Sequence, residues 1–300
     1  MDWTVPREKQ GRLIIDTDAK NEADDQFAIV HALLSPSLDI RGIVPAHFGT
    51  WRTDRSLQES HDEVMLLLEL MEMTERVRVE DGAPRALPDE QTPLSSPGAD
   101  LIIEEAMNDD PRTLHILSIG PLTDMASALL LEPGIAERNL QLVWLGGGAW
   151  PAGGWEFNLN NDLHAANVVF KSRLKMAQVP LNAFAQARVG YAELFERVYP
   201  HGRIGRYLVE QLVRHNEAIR AKRSWEFHVL CDSSAIGVTL YPGAGDWEWR
   251  PALEFSAQLT HVHNGTNRAI RVYSSIDSRF IFEDLFAKLA RFARQSPTVG

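Results

Sequence analysis

Along the 300-residue chain, short apolar runs alternate with longer segments whose apolar positions recur at helical spacing. A strand buried on both faces reads as an unbroken apolar run, whereas a helix laid on a sheet is apolar on one side only, so this alternation predicts βαβ units. Leu13–Thr17 (LIIDT) predicts a first buried strand, and Asp25–Leu34 a helix with Phe27, Ile29, Val30, Leu33 and Leu34 as its apolar positions. Ile40–Pro45 predicts a second strand, roughly Ser56–Met73 a long helix, and Val77–Glu80 a short third strand. The stretch Asp81–Gly98, rich in Pro, Gly, Ser and acids, predicts a long loop of the kind that serves as a lid or binding segment.

The pattern then resumes with a helix around Asp100–Met107, a strand at Thr113–Ser118, and a helix in GPLTDMASALLL opened by Pro121. Leu140–Leu145 predicts a strand ending in Gly146–Gly148, Asp162–Ser172 a helix, Gln178–Ala185 a segment that contains the next strand, and Arg203–Lys222 a long helix. Alternation through Trp247–Tyr273 predicts late antiparallel strands, and Ile281–Arg294 a closing helix. No repeat, low-complexity tract or linker divides the chain. The expectation is a single domain over residues 1–300, an α/β fold with a mainly parallel central sheet flanked by helices and an antiparallel extension.

Composition changes this picture little. A chain that is 44% hydrophobic and 24% charged is globular. Charge narrows the partners: a net −11 argues against nucleic-acid or anionic-membrane binding and for a small neutral or metal-bridged substrate. The single cysteine, Cys231, excludes an intrachain disulfide framework and a CxxC metal site. With a polar N-terminus and no apolar run long enough for a signal or a membrane span, a cytoplasmic location is expected.

The candidate chemistry sits where the first strand meets the first helix. Asp16 and Asp18 end the strand, and Asp24 and Asp25 begin the helix. In a doubly wound sheet that crossing lies at the carboxyl edge, where ligands bind. Carboxylates this close repel when desolvated, and a hard divalent cation removes that cost. With no His or Cys interleaved, Ca²⁺ or Mg²⁺ is expected rather than Zn²⁺. An Asp-x-Asp after a buried strand also fits a Mg²⁺-dependent haloacid-dehalogenase-type phosphatase with Asp16 as nucleophile, although Lys20 stands where that family expects Thr or Val.

Four blocks, in order from Asp16 to about Pro242, carry a resemblance. DTDAKNEADDQFAI resembles the DxDPGxDDAxAI signature of the inosine–uridine-preferring nucleoside hydrolases, with two extra residues between the acidic pairs. SIGPLTDMASALLLEP resembles their GPLTNxAxAL segment, LGGGAW with EFNLNNDLHAANVVF resembles MGG…EFNxxxDPEAAxxVF, and CDSSAIGVTLYP resembles HDPLAV. The resemblance implies hydrolysis of an N-ribosidic bond. It also implies Ca²⁺ held by Asp18, Asp25, Asp232 and the Ile119 carbonyl, with Asp18 as general base. Asp24, Glu156 and Asn158 would hold ribose hydroxyls, and Asp16 would orient the cluster from behind. Relatives are commonly dimers or tetramers, so a homo-oligomer is expected.

The half of the site that faces the base departs from the family pattern. Cys231 stands where an acidic His is usual, and PAHFGT replaces the segment that normally supplies an Asn. His47 is a candidate for contact with the ribose or the water, and equally for a polar loop residue. Trp150, Trp155, Trp225 and Phe227 are candidates for stacking on a base, and His228 for protonating it. A homologue that binds nucleosides but has lost catalysis is a further alternative.

Overall fold

The computed structural model describes residues 4–218, 226–265 and 267–295. Its first half sets β1 (Gly11–Thr17), α1 (Asp25–Leu33), β2 (Leu38–Pro45), α2 (Ser56–Leu70), α3 (Pro97–Met107), β3 (Leu114–Ser118), α4 (Thr123–Leu131) and β4 (Leu140–Leu145) in βα alternation. Next come α5 (Phe157–Asn161), α6 (Leu163–Lys171), β5 (Lys175–Val179), α7 (Leu181–Phe184), β6 (Arg188–Gly190), α8 (Tyr191–Arg197) and α9 (Gly202–Ala218). The chain closes through β7 (Phe227–Val229), α10 (Cys231–Leu240), β8 (Trp247–Pro251), β9 (Glu254–Phe255), β10 (His261–Val262), β11 (Ala269–Tyr273) and α11 (Ser278–Gln295).

The main sheet has the order β2-β1-β3-β4-β5-β11-β8. Its strands run parallel up to β11, and β8 alone pairs antiparallel, at the edge. This is the expected mainly parallel sheet with an antiparallel extension. The unbroken apolar runs follow from burial on both faces: Leu13 and Ile15 join the core beneath α1 and α10, while Ile14 joins the core beneath α4 and α6.

Three local expectations change. The strand expected within Gln178–Ala185 begins earlier and ends at Val179, spanning Lys175–Val179, because Pro180 cannot donate to the ladder and its carbonyl instead accepts from Ala183 and Phe184, opening α7. Val77–Glu80 is not a strand; Val79 makes one isolated bridge to Ile43. The 81–98 stretch is irregular up to Ser96, which caps α3, but it is no lid. Buried carboxylates fasten it to the body: Asp124 accepts from Ala83 N (2.9 Å) and Asp162 from Leu87 N (2.9 Å). The predicted helix from Arg203 is described to Ala218, and the residues expected to complete it lie outside the described set.

Candidate active site

A cavity of about 980 Å³ opens at the carboxyl ends of the parallel strands, with Asp18, Asp24, Asp25, Ile119, Glu156, Asn158 and Asp232 in its lining. Strand β1 delivers Asp18, α1 begins at Asp25, and α10 delivers Asp232 from more than two hundred residues away. Helices α1 and α10 pack against each other, which brings the two acidic groups together. One carboxylate oxygen from each of Asp24, Asp25 and Asp232 lies within 4.8 Å of the others.

Burial makes this cluster electrostatically costly. Asp18, Asp24, Asp25 and Asp232 are each at most 4% exposed. Burial first, then mutual repulsion, pushes the Asp18 and Asp232 carboxyls well above their usual range. Asp24 is raised in the same way, by burial and then by Glu22 and Asp25. Asp25 is raised by burial to about 7, with hydrogen bonds from Thr17 Oγ1 (2.5 Å) and Asp232 opposing the shift. Asp18 Oδ2 is buried and has no hydrogen-bond partner among the described residues. An all-oxygen donor set with a buried, unsatisfied acceptor fits a hard divalent cation, and the residues present therefore suit the implied group.

Asp16 lies behind this group, completely buried, accepting from Ser118 Oγ (3.3 Å), while its Oδ1 has no partner among the described residues. Burial and then Asp124 raise its carboxyl. Glu156 caps α5, its carboxylate accepting from Gly147 N (2.7 Å), Asn158 N (3.0 Å) and Leu159 N (3.0 Å). Asn158 donates through Nδ2 to the Ile119 carbonyl (3.1 Å) and the Leu145 carbonyl (3.0 Å), which fixes both sheet ends at the cavity.

The residues expected to face the base divide. Phe227, His228, Trp155 and Cys231 line the cavity. Asn216 Nδ2 lies 3.2 Å from His228 Nδ1, and Asn216 also bonds the Tyr191 hydroxyl. Burial, with Asp24 and Asp232, pushes the Cys231 thiol well up. Trp150 is not in the lining: it packs on His261 and His263 and donates to Gln178 Oε1 (3.0 Å). Trp225 lies outside the described residues.

His47 is likewise absent from the lining, 1% exposed and turned inward. Gly49 N donates to its Nδ1 (3.1 Å), so its proton sits on Nε2 and is given to Thr123 Oγ1 (2.9 Å), which donates to Asp162 Oδ2 (2.7 Å). Burial lowers this imidazole to about 4, keeping it neutral.

Sequence reasoning did not single out Trp51 and Arg52, which stand at the cavity mouth, or Tyr191 and Asn216 on its wall. The Arg52 guanidinium lies 4.3 Å from the Trp51 ring and 5.4 Å from the Phe157 ring. Trp51 is 61% exposed, and its only sequence signal is an aromatic in the loop after β2.

Comparison with known proteins agrees with this geometry. Residues 13–279 match the family described as inosine-uridine preferring nucleoside hydrolase. The chain is 29% identical over 214 residues to uridine nucleosidase 1 of Arabidopsis thaliana, covering 63% of this chain and 61% of that protein. It is 27% identical over 257 residues to a pyrimidine-specific ribonucleoside hydrolase of Salmonella newport, covering 77% of each. The fold superposes on a purine-preferring ribonucleoside hydrolase from Gardnerella vaginalis with a TM-score of 0.79 at 19% identity, covering 95% of this chain and 99% of that one. The motifs, the sheet that carries them and the matched span agree: this chain belongs to the inosine-uridine preferring nucleoside hydrolase family, a family of N-ribosyl hydrolases.

Proposed function

We propose that this protein hydrolyses the N-glycosidic bond of a ribonucleoside or related N-riboside, releasing ribose and free base, with Ca²⁺ held at the acidic floor of the cavity and Mg²⁺ as the possible substitute. The observation that carries the reading is the meeting of Asp24, Asp25 and Asp232 oxygens within 4.8 Å at a cavity that Asp18 also lines. A divalent cation there supplies an acidified water and an anchor for ribose hydroxyls.

The chain's own residues do the rest. Asp18, which lines the cavity, takes the proton of the attacking water. Asp18, Asp25, Asp232 and the Ile119 carbonyl are the proposed cation ligands, with Asp18 serving as both ligand and base. Asp24 accepts the ribose 2′-hydroxyl, and Glu156 and Asn158 hold the 3′- and 5′-hydroxyls, their positions fixed by the backbone bonds described above. Hydroxide adds to the anomeric carbon as the C–N bond breaks, and the bonding pair leaves with the base. Buried carboxylates around the sugar stabilise the positive charge that develops on it. The base departs toward Phe227 and His228, and His228 is the proposed donor of its proton.

The same reading takes the enzyme as a cytoplasmic homo-oligomer, a dimer or tetramer, that acts in nucleoside salvage. Among the described residues no helix is long and apolar enough to cross a membrane, and the net charge of −11 supports a small substrate rather than a nucleic acid.

A reducing-sugar assay over purine and pyrimidine nucleosides, with and without chelator, tests the proposal. Ribose release that chelation abolishes and calcium restores is expected, and Asp18→Ala should lower kcat by about 10²–10⁴-fold. Release of phosphate from phosphate esters with no ribose from any riboside, or full activity in Asp18→Ala, would overturn it.

A further inference from the structure

The turn between the two acidic pairs is this chain's own. Family members resembling it place Pro-Gly and one further residue between the pairs, whereas here Ala19–Ala23 intervene, two residues more and with neither Pro nor Gly to stiffen them. A longer turn with ligands at both ends carries more conformational entropy to lose when those ligands are brought to one point.

The turn is nonetheless tied down by side chains that have no place in the cavity lining. Glu63, on α2 and 3% exposed, accepts from Lys20 Nζ (2.5 Å), Gln26 Nε2 (2.9 Å) and the Tyr207 hydroxyl (2.6 Å). One buried carboxylate thus joins the turn, α1 and α9. Gln26 uses the same Nε2 on the Ala19 carbonyl (2.6 Å), and Gln211 Nε2 reaches the Ala23 carbonyl (2.8 Å). Both ends of the turn are therefore held from outside, immediately next to Asp18 on one side and Asp24 on the other.

We propose that Glu63, acting through Lys20 and Gln26, is a positioning residue for the cation site, doing by a buried charge-assisted clamp what Pro-Gly does in a shorter turn. The inference rests on the cation reading given under Proposed function. Its reason is general: groups that orient metal ligands without touching the metal typically govern its affinity by about 10–100-fold. Lys20 supplies the safest perturbation, since its side chain is 44% exposed and its truncation leaves the core intact.

The experiment titrates Ca²⁺ into the full chain by calorimetry and melts each variant in chelator. Glu63→Gln and Lys20→Ala should each weaken calcium about 10–100-fold, while Lys20→Ala melts in chelator close to the unsubstituted protein. A control is Glu105→Gln, whose carboxylate pairs with Arg12 and Arg41 away from the cavity. That variant should lose melting temperature but keep calcium affinity. Should Glu63→Gln fail to fold, Lys20→Ala decides alone. Unchanged calcium affinity in Lys20→Ala would overturn the clamp while leaving the cation site standing. An unsubstituted protein that binds neither Ca²⁺ nor Mg²⁺ would overturn the cation reading, and the clamp with it.

Discussion

Replacing Asp232 by Asn should separate folding from function in a way that only a cation site predicts. At an effective dielectric constant of about 20, like unit charges separated by the 4.8 Å that bounds these oxygens repel by about 3.5 kcal/mol. Asp232 faces two such neighbours, Asp24 and Asp25, but part of the repulsion is already relieved by protonation, because burial holds Asp25 at about 7. Asp232 and Asp25 are also hydrogen-bonded, so one of them carries a shared proton that an Asn amide can replace. The net gain expected in chelator is therefore about 1–3 kcal/mol, or roughly 2–6 °C in Tm for a chain of this size. Calcium should act in the opposite sense across the pair. The unsubstituted protein gains about 2.7 kcal/mol when calcium stands at a hundred times its Kd, and Asp232→Asn should gain almost nothing. Differential scanning calorimetry of both proteins, in chelator and in calcium, reads all four values. A variant that melts lower than the parent in chelator, yet retains the full calcium shift, would refute the reasoning.

Two further outcomes follow from the site. In chelator, stability should decline as pH rises: the folded state holds the Asp25 proton up to about 7 whereas the unfolded chain releases it near 3.8, so that stability is full below about 4 and lost through about 7. The loss is of order 4 kcal/mol from this carboxyl. Calcium should flatten the decline, and a chelated protein whose Tm climbs between pH 5 and 8 would contradict it. His47→Ala should cost about 1–3 kcal/mol by leaving the Thr123–Asp162 chain short of a donor, with KM for a nucleoside within about twofold; a KM raised tenfold at unchanged Tm would instead return His47 to the substrate.

Local pattern alone determined a good deal of this protein. The strand LIIDT reads as buried because apolar residues on both faces leave it no solvated side, and the acids that end it had to stand at a sheet edge. Co-occurring blocks such as SIGPLTD and EFN carried the family, since their order is a property of the chain and not of its folding. Tertiary structure decided what local pattern cannot encode. Only the packing of α10 on α1 brings Asp232 to Asp24 and Asp25. Histidines are ambiguous in sequence because their role depends on what each ring nitrogen meets; His47 meets Gly49 and Thr123, whereas His228 borders the cavity. The same holds for Trp150 and Trp155, five residues apart, one packed on histidines and the other at the cavity wall. Glu63 reads as one more charge on a helix, and becomes the anchor of the acidic turn because Lys20, Gln26 and Tyr207 converge on it from three other segments. Contacts between residues far apart in the chain depend on how elements pack, and spacing along one segment carries no record of them.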